Sequence, residues 1–179
     1  NLRHAGENGR GDLDGLREPY PRLLRFAAYL ESIRDAHGLL PVENLGIPTV
    51  WIDHNAFKKP RHKQCAFNLY AAAMFKNALA PICRIMEDAG KAEYFERLGD
   101  SLLQATAERF WNENSGRFEA NLPWQKEENE VRTCDRSLAT AILYDLCPGN
   151  NTEAALKTLA ECPDDMGLSY PANAYWRYW

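Results

Sequence analysis

Apolar residues recur at helical spacing along most of the chain. From about Pro19 to Asp35, Leu23, Phe26, Ala27, Leu30 and Ile33 share one face of a helix. Pro19 and Pro21 sit in its first turn, where a missing N–H costs nothing, and His37-Gly38 stops it. A second stripe, Phe67, Tyr70, Ala71, Met74, Ala78, Ile82 and Ile85, predicts a helix over 62–89, kinked at Pro81 and closed by Gly90. A third helix is expected over 91–112, with Tyr94, Leu98, Leu102, Ala105 and Phe110 inward and a turn at Asn114-Ser115-Gly116. A fourth spans about Asp135 to Leu146, with Leu138, Ala141 and Ile142 inward. A fifth runs from Thr152 to Ala160 or Cys162, with Thr152 as N-cap. Only Arg117–Ala120 reads as a short extended piece. The pattern predicts an all-α fold of packed antiparallel helix hairpins, with 1–15 a glycine-rich, flexible lead-in and 16–179 the folded segment.

The connections alternate between tight, as at Ala89–Lys91, and long and aromatic-rich, as at 41–60, 113–134 and 163–179. If hairpins stack around a ring, short turns gather at one rim and long loops at the other, where they build a site.

Composition narrows the function. The chain has 179 residues, 45% hydrophobic and 26% charged, enough apolar material for one folded core. No run of 18 apolar residues occurs, and the net charge of −4 argues against nucleic-acid binding. The densest basic group, Lys58, Lys59, Arg61, His62 and Lys63, reads as a solvated helix entrance. Five widely spaced cysteines without a CxxC pair fit buried thiols, with one bridge plus spare thiols as the alternative. Metal-binding, phosphate-loop, dinucleotide and nucleophile-elbow motifs are missing, so no cofactor is expected.

Sugar recognition pairs carboxylates and amides with flat aromatic walls. Trp51, Asp53 and His54 bring those residue types together in the 41–60 connection. The competing reading packs Trp51 in the core and uses Asp53 as a cap. Trp124 either stacks on a sugar or covers a helix end. Asp135, with Arg136, starts a helix and serves either as its N-cap or as a substrate ligand. Tyr170 and Trp176 are candidate sugar platforms in the aromatic tail, or core residues. Glycoside hydrolysis with inversion uses two carboxylates about 6.5–9.5 Å apart. Asp53, Glu119 and Asp135 are the loop-placed acids to test.

The run Ala36-His37-Gly38-Leu39-Leu40-Pro41 followed by Trp51-Ile52-Asp53-His54 resembles the middle of glycoside hydrolase family 78, the α-L-rhamnosidases. Ala92-Glu93-Tyr94-Phe95, Phe110-Trp111-Asn112-Glu113 with Ser115-Gly116-Arg117-Phe118, Asp135–Ala141, and Met166–Trp179 resemble successive later pieces of that family. The resemblance spans about residues 16–179 and implies a partial (α/α)6 toroid, about half of the ring. It implies release of terminal α-L-rhamnose with inversion by the complete enzyme. The family's general acid lies upstream of the matched part and its base downstream, so neither catalytic carboxylate is assigned. The family's Asp–Trp pair stands here as Asp53-His54. A rhamnoside ligand is the expected partner, with self-association through helix faces that a half-ring leaves bare. Two other readings stand beside it: another (α/α)-barrel sugar enzyme, glucosidase-like or an epimerase, and a non-catalytic helical interaction module.

Overall fold

The computed structural model describes residues 13–43, 45, 50, 52, 60–120 and 132–167. The protein is mostly helical, with four two-residue strands among the described residues. It divides into two compact units, Asn1–Ser32 and Ile33–Trp179.

The first unit contains α1 (Leu13–Arg17) and α2 (Tyr20–Ser32). Ala27 and Leu30 are buried there, but Phe26, assigned to the inward face by its spacing, is 49% exposed. The i, i+3 step from Phe26 to Tyr29 lies on the opposite, open side of the helix. The helix also ends earlier than His37-Gly38.

The second unit opens with a turn. The Asp35 carboxylate accepts the N–H groups of His37 and Leu39, both at 2.9 Å, while Gly38 takes a positive φ of 78° that suits glycine. A 3₁₀ turn (Pro60–Lys63) leads into α3 (Gln64–Met74), a π-turn (Phe75–Leu79) and α4 (Ala80–Ile85). Pro81 therefore does not break the helix; the turn before it widens instead. Two residues of the basic group expected to be solvated, His62 and Lys63, are instead buried; Lys58, Lys59 and the Arg61 side chain lie outside the described residues. Desolvation pulls the Lys63 ammonium below its ordinary pKa.

Gly90 does not close this helix. The stop comes at Ile85, where Glu87 takes the left-handed conformation (φ 61°) and Asp88 caps the next helix by accepting the Lys91 N–H at 3.1 Å. Gly90 falls in the first turn of α5 (Ala89–Phe110). Partners across α3–α4 and α5 run in opposite chain order, Arg84 with Glu96 and Lys76 with Asp100. Phe75 stacks on Phe95 at 5.9 Å between ring centroids. Phe95, Leu98 and Leu102 are buried, whereas Tyr94 is exposed.

Strand β2 (Arg117–Phe118), the expected extended piece, pairs antiparallel with β1 (Trp111–Asn112), which the sequence pattern assigns to the end of the third helix; Gly116 at positive φ lies in the turn between them. β3 (Thr133–Cys134) pairs in parallel with β4 (Met166–Gly167). Between them come α6 (Asp135–Leu143) and α7 (Thr152–Glu161). The N-caps are Cys134 and Asn151, one residue before the expected Asp135 and Thr152. The main core gathers Leu69, Phe110, Phe118, Leu138, Leu146 and Met166 from α3, α5, the strands, α6 and the segment after it. A smaller core joins Val42, Val50, Ile52, Ala66, Ala120 and Cys134. All five cysteines are free thiols, four of them buried.

Candidate functional site

Three groups of polar residues meet where α3 passes the start of α6. The first ties down the chain that enters the long connection. Asn68, fully buried on α3, accepts the Leu40 N–H at 2.8 Å and donates to the Leu40 carbonyl at 3.0 Å and the Gln64 carbonyl at 2.8 Å. Gln64 donates to the same Leu40 carbonyl at 3.2 Å. Both backbone groups of Leu40 are thus satisfied by side-chain amides, as a neighbouring strand would do.

The second group lies at the head of α6. Asp135 is buried, and its carboxylate accepts the Arg136 N–H at 2.7 Å, with the Cys134 thiol 3.7 Å away. Arg136 Nη1 donates to the Ile52 carbonyl at 2.5 Å across 84 residues of sequence. The Tyr70 hydroxyl and Ser137 Oγ are both buried in the same neighbourhood, and Ser137 acts on the Tyr70 phenol through its side chain. Burial pushes the Tyr70 phenol well above its ordinary pKa, reinforced by nearby Cys134. It is a neutral group throughout the physiological range.

The third group is ionic. The Glu119 carboxylate is fully buried and accepts from Asn112 Nδ2 at 2.7 Å and Arg132 Nη2 at 2.8 Å; Arg117 Nε stands 4.0 Å away. Arg117 in turn grips Asp165 with both guanidinium ends. This network joins β2, the strand before α6 and the loop before β4. It explains Glu119 as a fastening between segments, since each oxygen of its carboxylate is already engaged.

A cavity of about 310 Å³ opens between α3–α4 and α6. Ala73, Met74 and Ala78 give it an apolar wall, and Tyr70, Asn77, Arg136, Thr140 and Tyr144 give it polar groups. Its volume lies at the lower end of small-ligand sites, and its lining suits a compact ligand with both apolar and hydroxylated faces. Among the described residues no cluster of His, Cys, Asp and Glu is arranged to hold a metal ion.

Of the residues singled out from sequence, Asp135 and Arg136 stand at this junction, and Arg136 lines the cavity. Trp51, Asp53, His54, Trp124, Tyr170 and Trp176 lie outside the described residues. Tyr70, Asn77, Thr140 and Tyr144 were not singled out as ligand groups. Helical spacing assigns Tyr70 to a buried stripe, and only the meeting of two helices turns it into a cavity wall. Asn68 was missed because a polar residue inside an apolar stripe carries no signal of what it will bond. No helix among the described residues is long and apolar enough to cross a membrane. Compared with known proteins, the chain matches no family model, no curated protein and no solved structure.

Proposed function

We propose that this chain is the central part of an α-L-rhamnosidase-like glycoside hydrolase, a run of antiparallel helix hairpins from a partial (α/α)6 toroid whose cavity binds the sugar. The observation that carries this reading is the Arg136–Ile52 hydrogen bond. It joins the 50–52 stretch to the start of α6, two of the segments whose residues resemble the rhamnosidase family. The cavity beside that bond offers an apolar wall for the methyl-bearing face of a 6-deoxy sugar and amide, hydroxyl and guanidinium groups for its hydroxyls. The complete enzyme releases terminal α-L-rhamnose with inversion, using carboxylates that this chain does not assign.

The test is calorimetric titration of the purified chain with L-rhamnose. We expect a dissociation constant on the order of 1 mM, as befits a small ligand with few contacts, and no turnover of an aryl rhamnoside. Robust turnover overturns the claim that the acid and base lie elsewhere. Silence toward rhamnose with clear binding of glucose favours another (α/α)-barrel sugar enzyme, and silence toward all sugars overturns the reading. The interaction-module alternative is favoured by the exposed Leu143 and Leu156 on α6 and α7. The half-ring predicts a dimer by light scattering; a clean monomer speaks against it.

A further inference from the structure

Pro81 lacks an N–H, and in an α-helix its ring collides with the carbonyl four residues earlier, here Asn77. The protein accommodates the proline with the π-turn that precedes it. The Ala80 N–H donates to the Phe75 carbonyl, a five-residue step in place of four. A wider turn lengthens the step from carbonyl to proline ring, which relieves such a clash. It also leaves a deficit of donors: once α4 resumes at Ala80, the carbonyls of Lys76, Asn77 and Ala78 share the single N–H of Ile82. At least two helical acceptors are therefore released within one turn.

That turn forms one edge of the cavity. Asn77 is exposed there and Ala78 lies beside it, opposite Arg136, Thr140 and Tyr144. The rest of the turn faces elsewhere: Phe75 stacks on Phe95, and Lys76 pairs with Asp100 on α5 at 2.6 Å. The packed side thus fixes the turn's orientation, and the open side carries Asn77 and Ala78 at the cavity edge. The buried Tyr70 hydroxyl adds a polar group to the same cavity.

We propose that Pro81 is a positioning residue for this cavity: it holds the π-turn that presents Asn77 and the released carbonyls as an acceptor strip for two neighbouring hydroxyl groups of a bound sugar. The ligand half of this inference rests on the sugar-binding reading above; the backbone half does not. A vicinal pair of hydroxyls donates two hydrogen bonds to an amide oxygen and an adjacent carbonyl. A ligand lacking one of those hydroxyls leaves an acceptor unmatched.

The two halves are tested separately in the full chain. Without ligand, amide exchange and carbonyl chemical shifts are compared between parent and Pro81→Ala. The expected result is a protected new amide at position 81 and carbonyl shifts at Lys76 and Asn77 that move to hydrogen-bonded helical values. An unprotected amide and unmoved carbonyls overturn the inference, whatever the sugar does. With ligand, Pro81→Ala and Asn77→Ala are titrated with L-rhamnose and its monodeoxy analogues. Each should lose roughly tenfold in affinity for rhamnose while binding one of the deoxy analogues as the parent does. Asn77→Asp, which keeps an acceptor, should restore most of the loss. Affinity and discrimination unchanged in both alanine variants overturn the ligand half. A parent that ignores every sugar overturns the cavity reading and that half with it, leaving the exchange data to decide the backbone half. Asn77 is exposed, so its substitution keeps the fold available even if Pro81→Ala shifts the helix.

Discussion

Asn68 grips Leu40 from both sides of one peptide position, accepting its N–H and donating to its carbonyl. Both residues are fully buried, so neither backbone group has water to fall back on. Asn68→Ala should lower the unfolding free energy by about 2–4 kcal/mol, since it strips partners from a buried N–H and leaves a small void. Urea denaturation reads this directly. A variant with the parent's midpoint would show that the Leu40 backbone finds another partner.

Arg136 does the same work for the far end of the 41–60 connection by bonding the Ile52 carbonyl. Arg136→Met keeps the bulk of the side chain and removes the charged donor. It should cost about 1.5–3 kcal/mol, the range for hydrogen bonds to charged groups. The local sign should be faster amide exchange at Val50 and Ile52, with the α5 amides unchanged. Uniform exchange across the molecule would point to global loss in place of a released segment.

Glu119 sits between Arg132 and Arg117 with no exposure of its own. Removing a buried charge strands its partners, so Glu119→Ala should cost about 3–5 kcal/mol. Glu119→Gln retains one acceptor for Asn112 and should lose less. A double-mutant cycle with Arg132→Ala separates the pair from the rest of the network; full additivity would deny the coupling.

Two glycines of α5 should respond in opposite directions. A Cβ at Gly99 would lie 2.4 Å from Lys76 Cγ and 3.1 Å from the Ala72 carbonyl oxygen, and the carbonyl belongs to a packed helix that cannot yield. Gly99→Ala should therefore destabilise by about 1–3 kcal/mol despite the helix propensity it gains. Nothing stands within 4 Å of a Cβ at Gly90, so Gly90→Ala should stabilise by up to about 1 kcal/mol. Thermal melts of the two variants settle the contrast; shifts of the same sign would contradict it.

Alkaline pH should weaken the fold. Burial pushes the Cys134 and Cys147 thiols up from 9.0 to about 11, and raises Cys65 and Tyr70 further. Between about pH 9 and pH 11 the unfolded chain has released protons that the folded chain retains. The folded state binds more protons there, so stability is level below that window and falls as pH rises through it. The slope for Cys134 is about 1 kcal/mol per pH unit, and less for Cys147 nearer the surface. Lys63 acts with the opposite sign, because its lowered pKa means the unfolded chain holds the extra proton. Urea midpoints that stay flat across this window in the parent, or that fall as steeply in Cys134→Ala, would contradict the assignment.

The elements that local chemistry controls were legible in the sequence. The stripes Leu98–Leu102–Phe110 and Leu138–Ala141 were placed inward and are buried. The turn at Asn114-Ser115-Gly116 was read from residues that favour it. The misreadings share one cause. Gly90 is punctuation in an isolated helix, but Asp88 supplies a cap that lets it sit inside the next one. His62 and Lys63 carry charge, yet both are buried.

The site divides in the same way. The sequence by itself determined the helical class, the positions of α5 and α6, and the choice of Asp135 and Arg136 as chemically interesting, because helix periodicity and capping chemistry act within a few residues. Tertiary structure alone decided that Arg136 reaches Ile52, that Asn68 serves Leu40, and that Tyr70, Asn77 and Thr140 share one cavity. Those relations depend on which helix faces meet, and many remote contacts, each weak, set that meeting together.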